Sequence, residues 1–327
     1  MLNDDMAQLT VQPATRRPAT RASLAAAARV TRPRRLRSSR RVGALLAWFI
    51  VMLAFTAFFI VPVIWLLIAP TKTDHQLVFE NPMAFGSFHT FLQTWDKMYD
   101  FQAHELLAWL ENSALYSVGG VLLALACAVP AGYGLALTEF IGRKVLLSIT
   151  LLVMIMPASA LVLPLFLEMN LLQLENTAWS VVLPFGFFPF GVYLSYIFFS
   201  STIPKELLGA ARVDGCSEWG VFRRVALPLA RPIVALVGFF AFVSDWTNFF
   251  LPYVMFYNDR QYPLPVGLQY LIANTSAFNP TVAVAQSPVL RPELAIATLL
   301  AIAPVFIVFL FAQRALVTGM LAGGTKG

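Results

Sequence analysis

The sequence predicts an all-α fold of the polytopic membrane class, and three observations carry that prediction. First, 58% of the 327 residues are hydrophobic and 12% are charged, where a soluble domain averages about 25% charged. Mean hydropathy is +0.71, so the surplus of apolar side chains must face lipid. Second, apolar runs recur six times, at 43–68, 109–137, 146–168, 177–200, 229–252 and 293–313. Each approaches or exceeds the ~20 residues that a helix needs to cross a bilayer core. Third, a single charge-bearing amphipathic interval, 203–232, separates the fourth run from the fifth.

The chain begins with a polar stretch, 1–42, holding ten arginines, among them Arg16, Arg17, Arg29, Arg34, Arg35, Arg40 and Arg41. That composition predicts disorder, apart from a short helix at 25–28. Clustered arginine just before a span reads as a cytoplasmic topology signal; binding of anionic lipid or nucleic acid is the competing reading. Most of the net charge of +6 sits in this tail, and no nucleic-acid partner is expected. A cleaved signal peptide is not expected either, because the basic region is too long and 42–68 is long enough to span. The domain division is therefore a basic tail, 1–42, and a transmembrane domain, 43–327.

Charge also orients the spans. With the N-terminus inside, the inner segments hold the tail arginines plus Arg143, Lys144, Lys205, Arg212, Arg223, Arg224, Arg231, Arg314 and Lys326, 19 in all. The outer segments hold four, Lys72, Lys97, Arg260 and Arg291. The positive-inside rule then places both termini and 203–232 in the cytoplasm. The outer segments are 70–108, 253–292 and a short one near 170–176.

Within the spans, Pro157 and Pro164 interrupt the third and Pro184 and Pro189 the fourth. Such breaks are tolerated where neighbouring helices or a wet cavity satisfy the freed carbonyls, so they mark a translocation path or plain packing kinks. Asp245 lies one residue before Trp246 and three before Asn248 in the fifth span. Ionisable groups inside membranes are costly and often functional. The functional reading is a polar and aromatic wall for a substrate with hydroxyls and apolar ring faces; the competing one is an interfacial aromatic belt.

Enzymatic chemistry finds little support. His75, His89 and His104 stand 14 and 15 residues apart in one outer segment, without the paired spacing of a metal site. Cys127 and Cys216 read as small packing residues. No Gly-x-Ser-x-Gly elbow is present. The tail sequence GMLAGGTK at 319–326 has glycines at nucleotide-loop spacing, but threonine stands where lysine is required and no strand precedes it.

The interval 203–232 reads as two short helices meeting at Gly215. Pro204 suits a first turn, where its missing N–H would be unpaired. Leu207, Leu208 and Ala211 fall on one face, with Lys205 and Arg212 opposite. Ser217 caps a second helix carrying Trp219, Phe222 and Val225, and Leu227-Pro228 ends it. A soluble knob between spans is suited to docking. Small Ala210 and Ala211 let a helix sit deep in a partner's groove while Leu207, Leu208 and Trp219 supply apolar anchors.

Ala210-Ala211, Asp214-Gly215 and Val225-x-Leu227-Pro228 resemble the EAA loop of ABC importer permeases, and the run PKELxxAARxDG resembles the maltose-type, sugar-importing group. The likeness extends over about 43–327: Glu111-Asn112-Ser113 at the start of the second helix, the corner AGYGLALTEFIGRK, the stretch 154–165, Trp246-Thr247-Asn248 with Phe250-Leu251-Pro252, and the C-terminal tail. One departure stands out. Gly209 occupies the glutamate position of the motif, and Glu206, one turn earlier, could substitute.

The resemblance implies an all-α permease with six transmembrane helices and an EAA-type coupling helix pair between helices 4 and 5. It implies an ATP-driven importer subunit for a sugar or related polyol, non-catalytic itself, in the cytoplasmic membrane. Its partners would be a second homologous permease, a dimer of ATPase subunits, an extracytoplasmic binding protein and the lipid bilayer. ATP and magnesium would bind the ATPases, and no cofactor this chain. Docking would fall to Glu206, Leu207, Leu208, Gly209, Ala210, Ala211, Arg212, Asp214, Gly215, Leu227 and Pro228, and the substrate path to Asn112, Asp245, Trp246 and Asn248. By residue chemistry alone, a stand-alone secondary transporter or channel, or a membrane scaffold recruiting a soluble protein, stays open. A secondary transporter would show midplane coupling charges and inverted repeats, neither of which is evident.

Overall fold

The computed structural model describes residues 35–275, 278–279 and 289–324, so the tail expected at 1–42, with its short helix, falls outside them as far as residue 34. From Arg35 the chain is already helical, earlier than the apolar run predicts. Arginine and leucine are good helix formers, so a helix can extend beyond the apolar boundary. Internal contacts divide the chain into two units, Met1–Pro62 and Val63–Gly327.

The described part of the first unit belongs to α1 (Arg35–Ile68). Its large apolar side chains from Leu45 to Val61 are exposed, Phe58 at 74%. This is a helix apolar all round, as lipid contact requires.

In the second unit, a 3₁₀ turn (Ala69–Thr71) leads into two short helices, α2 (Asp74–Phe79) and α3 (Phe88–Tyr99). Thr73 caps α2 with a reciprocal bond from Gln76, and Ser87 caps α3, each satisfying amides that a helix start leaves orphaned. Next comes α4 (Glu105–Leu137), 33 residues without a break. It is the central helix: α7 (Trp179–Gly186), α8 (Pro189–Thr202) and α12 (Arg231–Trp246) pack on it, and α15 (Arg291–Gly324) packs on α12.

Close packing around α4 has a sequence cause. Gly120, Ala124, Ala128 and Gly132 recur every four residues on its buried face, the small-xxx-small ridge that lets membrane helices approach. A methyl on Gly132 would lie 2.3 Å from Ser195 Cβ on α8, and one on Gly120 would lie 2.6 Å from Phe185 Cβ on α7. Those gaps leave no room for a side chain.

The broken spans differ from expectation in detail. The third divides into α5 (Arg143–Ile155) and α6 (Ala158–Leu171), bent by 108°. Pro157 forces Met156 into extended backbone, whereas Pro164 stays inside α6. The fourth breaks at Phe187 and Phe188, ahead of Pro189, which opens α8; Pro184 stays inside α7. The fifth run, expected to end at 252, stops as a helix at Trp246 and restarts as α13 (Phe250–Met255). After α13 a 3₁₀ turn (Asp259–Gln261) precedes α14 (Leu264–Ala273). Among the described residues, four helical segments are long and apolar enough to cross a membrane, α7 and α8 together forming one of them, and up to six spans result if each bent pair counts as one.

Candidate functional site

Between the fourth and fifth spans the chain forms α9 (Lys205–Val213), then α10 (Glu218–Val221), a π turn (Phe222–Ala226) and α11 (Leu227–Leu229). Gly215 joins the pair at φ +84°, a left-handed conformation open to glycine without a Cβ penalty. Ser217 accepts from the Gly220 amide and caps α10. Across the turn, Arg212 grips Glu218 with two bonds, Nε to Oε1 at 2.7 Å and a second guanidinium nitrogen to Oε2 at 3.1 Å. That hydrogen bond holds the Glu218 carboxyl below the usual carboxylate range.

The two faces of α9 do different jobs. Glu206, Leu207 and Ala210 are exposed along one face, with Arg212, Val213 and Asp214 following; Trp219 is exposed on α10. Leu208, expected on the docking face, is 1% exposed and packs with Tyr133, Phe199, Val221 and Phe222; half-buried Ala211 lies against the same cluster. These two anchor the knob to the bundle, because an amphipathic helix must bury one stripe before it can display the other. Burying a leucine contributes roughly 1.5–3 kcal/mol. Gly209 is half-buried with open space at its missing Cβ, and Glu206 supplies an exposed acid one turn earlier. Leu227 is half-buried and Pro228 exposed at the exit. Aromatic contacts complete the anchor: Tyr133 on α4 lies 5.0 Å from Phe222 and 5.5 Å from Phe199, ring centre to ring centre.

The residues expected to line a path are scattered. Asp245 is 7% exposed and faces the main chain of Gly120 on α4; its Oδ2 has no hydrogen-bond partner among the described residues. Trp246 is a core residue, 4% exposed, stacked on Phe242 and donating its indole N–H to the Ala301 carbonyl at 2.9 Å. A buried indole needs such a partner. Asn248 is half-buried and accepts from the Leu251 amide in the first turn of α13. Sequence reading passed over the exposed face at the end of α12, where Phe240, Ser244 and the C-cap residue Thr247 stand four and three residues apart; that helical spacing was the available signal.

Asn112 serves elsewhere. Its amide donates to the Arg260 and Tyr262 carbonyls at 2.7 and 3.2 Å. Trp109 Nε1 donates to the Asp259 carbonyl at 2.8 Å, and Tyr116 Oη to the Gln261 carbonyl at 3.0 Å. Ser113 Oγ accepts from the Leu264 amide at 2.7 Å. Three side chains at helical spacing on α4 thus take up the four consecutive carbonyls 259–262, and a fourth, Ser113, takes up the Leu264 amide.

Long apolar helices around one small-residue helix, with an ion-paired helix pair between two spans, define a membrane-embedded protein. Residues 120–321 match the family described as binding-protein-dependent transport system inner membrane component, and the chain belongs to that family. It is the permease subunit of an ATP-binding-cassette importer. It is 32% identical over 88% of its length to the arabinooligosaccharides transport system permease protein AraQ of Halalkalibacterium halodurans, covering 99% of that protein. It is 31% identical over 81% of its length to the sulfoquinovosyl glycerol transport system permease protein SmoH of Agrobacterium fabrum, covering 88% of it. Its fold is similar to a chain in the crystal structure of a bacterial ABC transporter involved in the import of the acidic polysaccharide alginate, with TM-score 0.71 at 23% identity over 87% of this chain and 98% of that one.

Proposed function

We propose that the importer carries a carbohydrate, a sugar or related polyol, across the cytoplasmic membrane, with both termini and the 203–232 knob on the cytoplasmic side. A second homologous permease completes the path, two ATPase subunits bind ATP and magnesium, and an extracytoplasmic binding protein delivers the substrate. One ATPase docks on the exposed face of Glu206, Leu207 and Ala210, flanked by Gly209, Arg212, Asp214 and Gly215, with Leu227 and Pro228 at its edge. Leu208 and Ala211 hold that face in place from behind. The observation that carries this reading is the knob itself: an ion-paired helix pair displays Leu207, Val213 and Trp219 to solvent, and such apolar exposure outside a bilayer marks a protein interface.

Toward the substrate, this chain contributes Asn248 with the exposed hydroxyls of Ser244 and Thr247 and the ring of Phe240. Buried Asp245 stands behind them on the same helix. The carbohydrate assignment draws on the substrates for which the relatives are named, and arabino-oligosaccharides are the first probes to try. The test is uptake of labelled arabino-oligosaccharides into proteoliposomes, with and without the ATPase pair and the binding protein. Uptake that needs ATP and all partners supports the proposal. Uptake by this chain alone would overturn the ATP-coupled mechanism in favour of a secondary transporter.

A further inference from the structure

At its inner end, α4 meets the knob through Tyr133, whose ring touches Phe222 of the π turn and Phe199 of α8. At its other end, Trp109, Asn112, Ser113 and Tyr116 hold the turn at 259–264 by its backbone. The Tyr116 ring also stacks on Phe256 at 5.2 Å. Between these contacts α4 is continuous helix, and Tyr116 and Tyr133 lie 17 residues apart, about 25 Å at 1.5 Å per residue. The ridge of Gly120, Ala124, Ala128 and Gly132 seats the rod against its neighbours over that distance.

We infer that α4 is the connecting rod of this permease, carrying displacement of the knob to the 259–264 turn on the opposite face, with Tyr133 as its inner positioning residue and Asn112 and Tyr116 as its outer ones. This rests on the proposed ATP-driven mechanism and adds a route to it. The bond pattern favours transmission over mere packing. A turn held through one side chain could lag behind the helix, but one whose consecutive carbonyls 259–262 are all taken by α4 must follow it. The same turn is tied to the neighbouring outer segment, since Asn176 accepts from the Tyr257 amide at 3.1 Å and its carbonyl accepts from Gln261 at 3.3 Å. Movement of α4 therefore reaches two outer segments together.

Tyr133 and Tyr116 allow single-atom tests. The Tyr133 hydroxyl has no partner among the described residues, so Tyr133→Phe keeps the ring contacts and should behave as wild type, whereas Tyr133→Leu removes the wedge. At the other end, Tyr116→Phe deletes one bond and Asn112→Leu two.

The experiment uses the assembled complex in nanodiscs, with Cys127 and Cys216 replaced by serine and a reporter at exposed Tyr257→Cys. Alkylation of the reporter by a hydrophilic maleimide is timed with and without MgATP and vanadate, and ATP turnover is measured alongside. With α4 intact, nucleotide should change the alkylation rate several-fold. In Tyr133→Leu, and in Asn112→Leu with Tyr116→Phe, that dependence should vanish while ATP turnover persists. Tyr116→Phe alone, which deletes one oxygen, should diminish it and carries the test if the double variant does not assemble. A full nucleotide response in Tyr133→Leu and in the Tyr116 variants would overturn the rod. Absence of ATP turnover in the unaltered complex would instead overturn the importer mechanism on which it rests.

Discussion

Replacing Gly267 by alanine tests how tightly α14 is fitted to α4. The added methyl would stand 2.2 Å from Trp109 Cε3 and 2.3 Å from Cδ2. Trp109 has no exposed surface and donates to the Asp259 carbonyl at 2.8 Å, so its ring cannot swing aside without losing that bond. Overpacking a core costs about 1–3 kcal/mol, and a buried carbonyl left without its donor roughly 1–3 kcal/mol more. A loss near 3 kcal/mol is expected. At roughly 2–4 °C per kcal/mol for a chain of this size, the melting midpoint should fall by about 6–12 °C. Fluorescence-detected size exclusion of the heated detergent complex measures it. A double-mutant cycle with Trp109→Leu supplies the control. The smaller side chain vacates the ring's space, so the two changes together should cost clearly less than their sum. Additive losses would refute the steric account, and an unchanged midpoint for Gly267→Ala would refute the packing itself.

Three further outcomes are expected. Ala210→Arg, on the exposed face of α9, should abolish co-purification of the ATPase while leaving membrane insertion intact, read by pull-down from solubilised membranes. Glu218 is held below its ordinary range by Arg212, so the clamp should be intact at neutral pH and lost only as acid titrates through the lowered value. Glu218→Gln should therefore remove acid sensitivity of ATPase co-purification, as a pull-down pH series would show, and barely alter thermal stability because the pair is solvent-exposed. Asn248→Ala removes the hydrogen bond accepted from the Leu251 amide, worth about 1 kcal/mol. It should lower arabino-oligosaccharide uptake in proteoliposomes without preventing assembly of the complex.

Much of this protein follows from its sequence taken alone. Composition and run length determine an all-α membrane protein, because apolar side chains in such excess have no core large enough to hold them. The knob at 203–232 is legible for the same reason: charge between apolar runs, Gly215 at the turn and Ser217 at the cap are local signals with local consequences. Tertiary structure decides what those signals serve. Which stripe of α9 faces the bundle depends on Tyr133 of α4, far away in sequence, and on Phe199 of α8, so Leu208 turned inward and Ala210 outward. Trp246 and Asn112 look like path residues in isolation; their polar groups meet carbonyls 55 and about 150 positions away. The span holding Pro157 bends by 108° whereas Pro164 and Pro184 stay within helices, so the presence of a proline does not by itself say where a span breaks. The small-residue ridge of α4 was spelled out in the sequence at four-residue spacing, but only packing shows that this helix touches both the knob and the turn at 259–264.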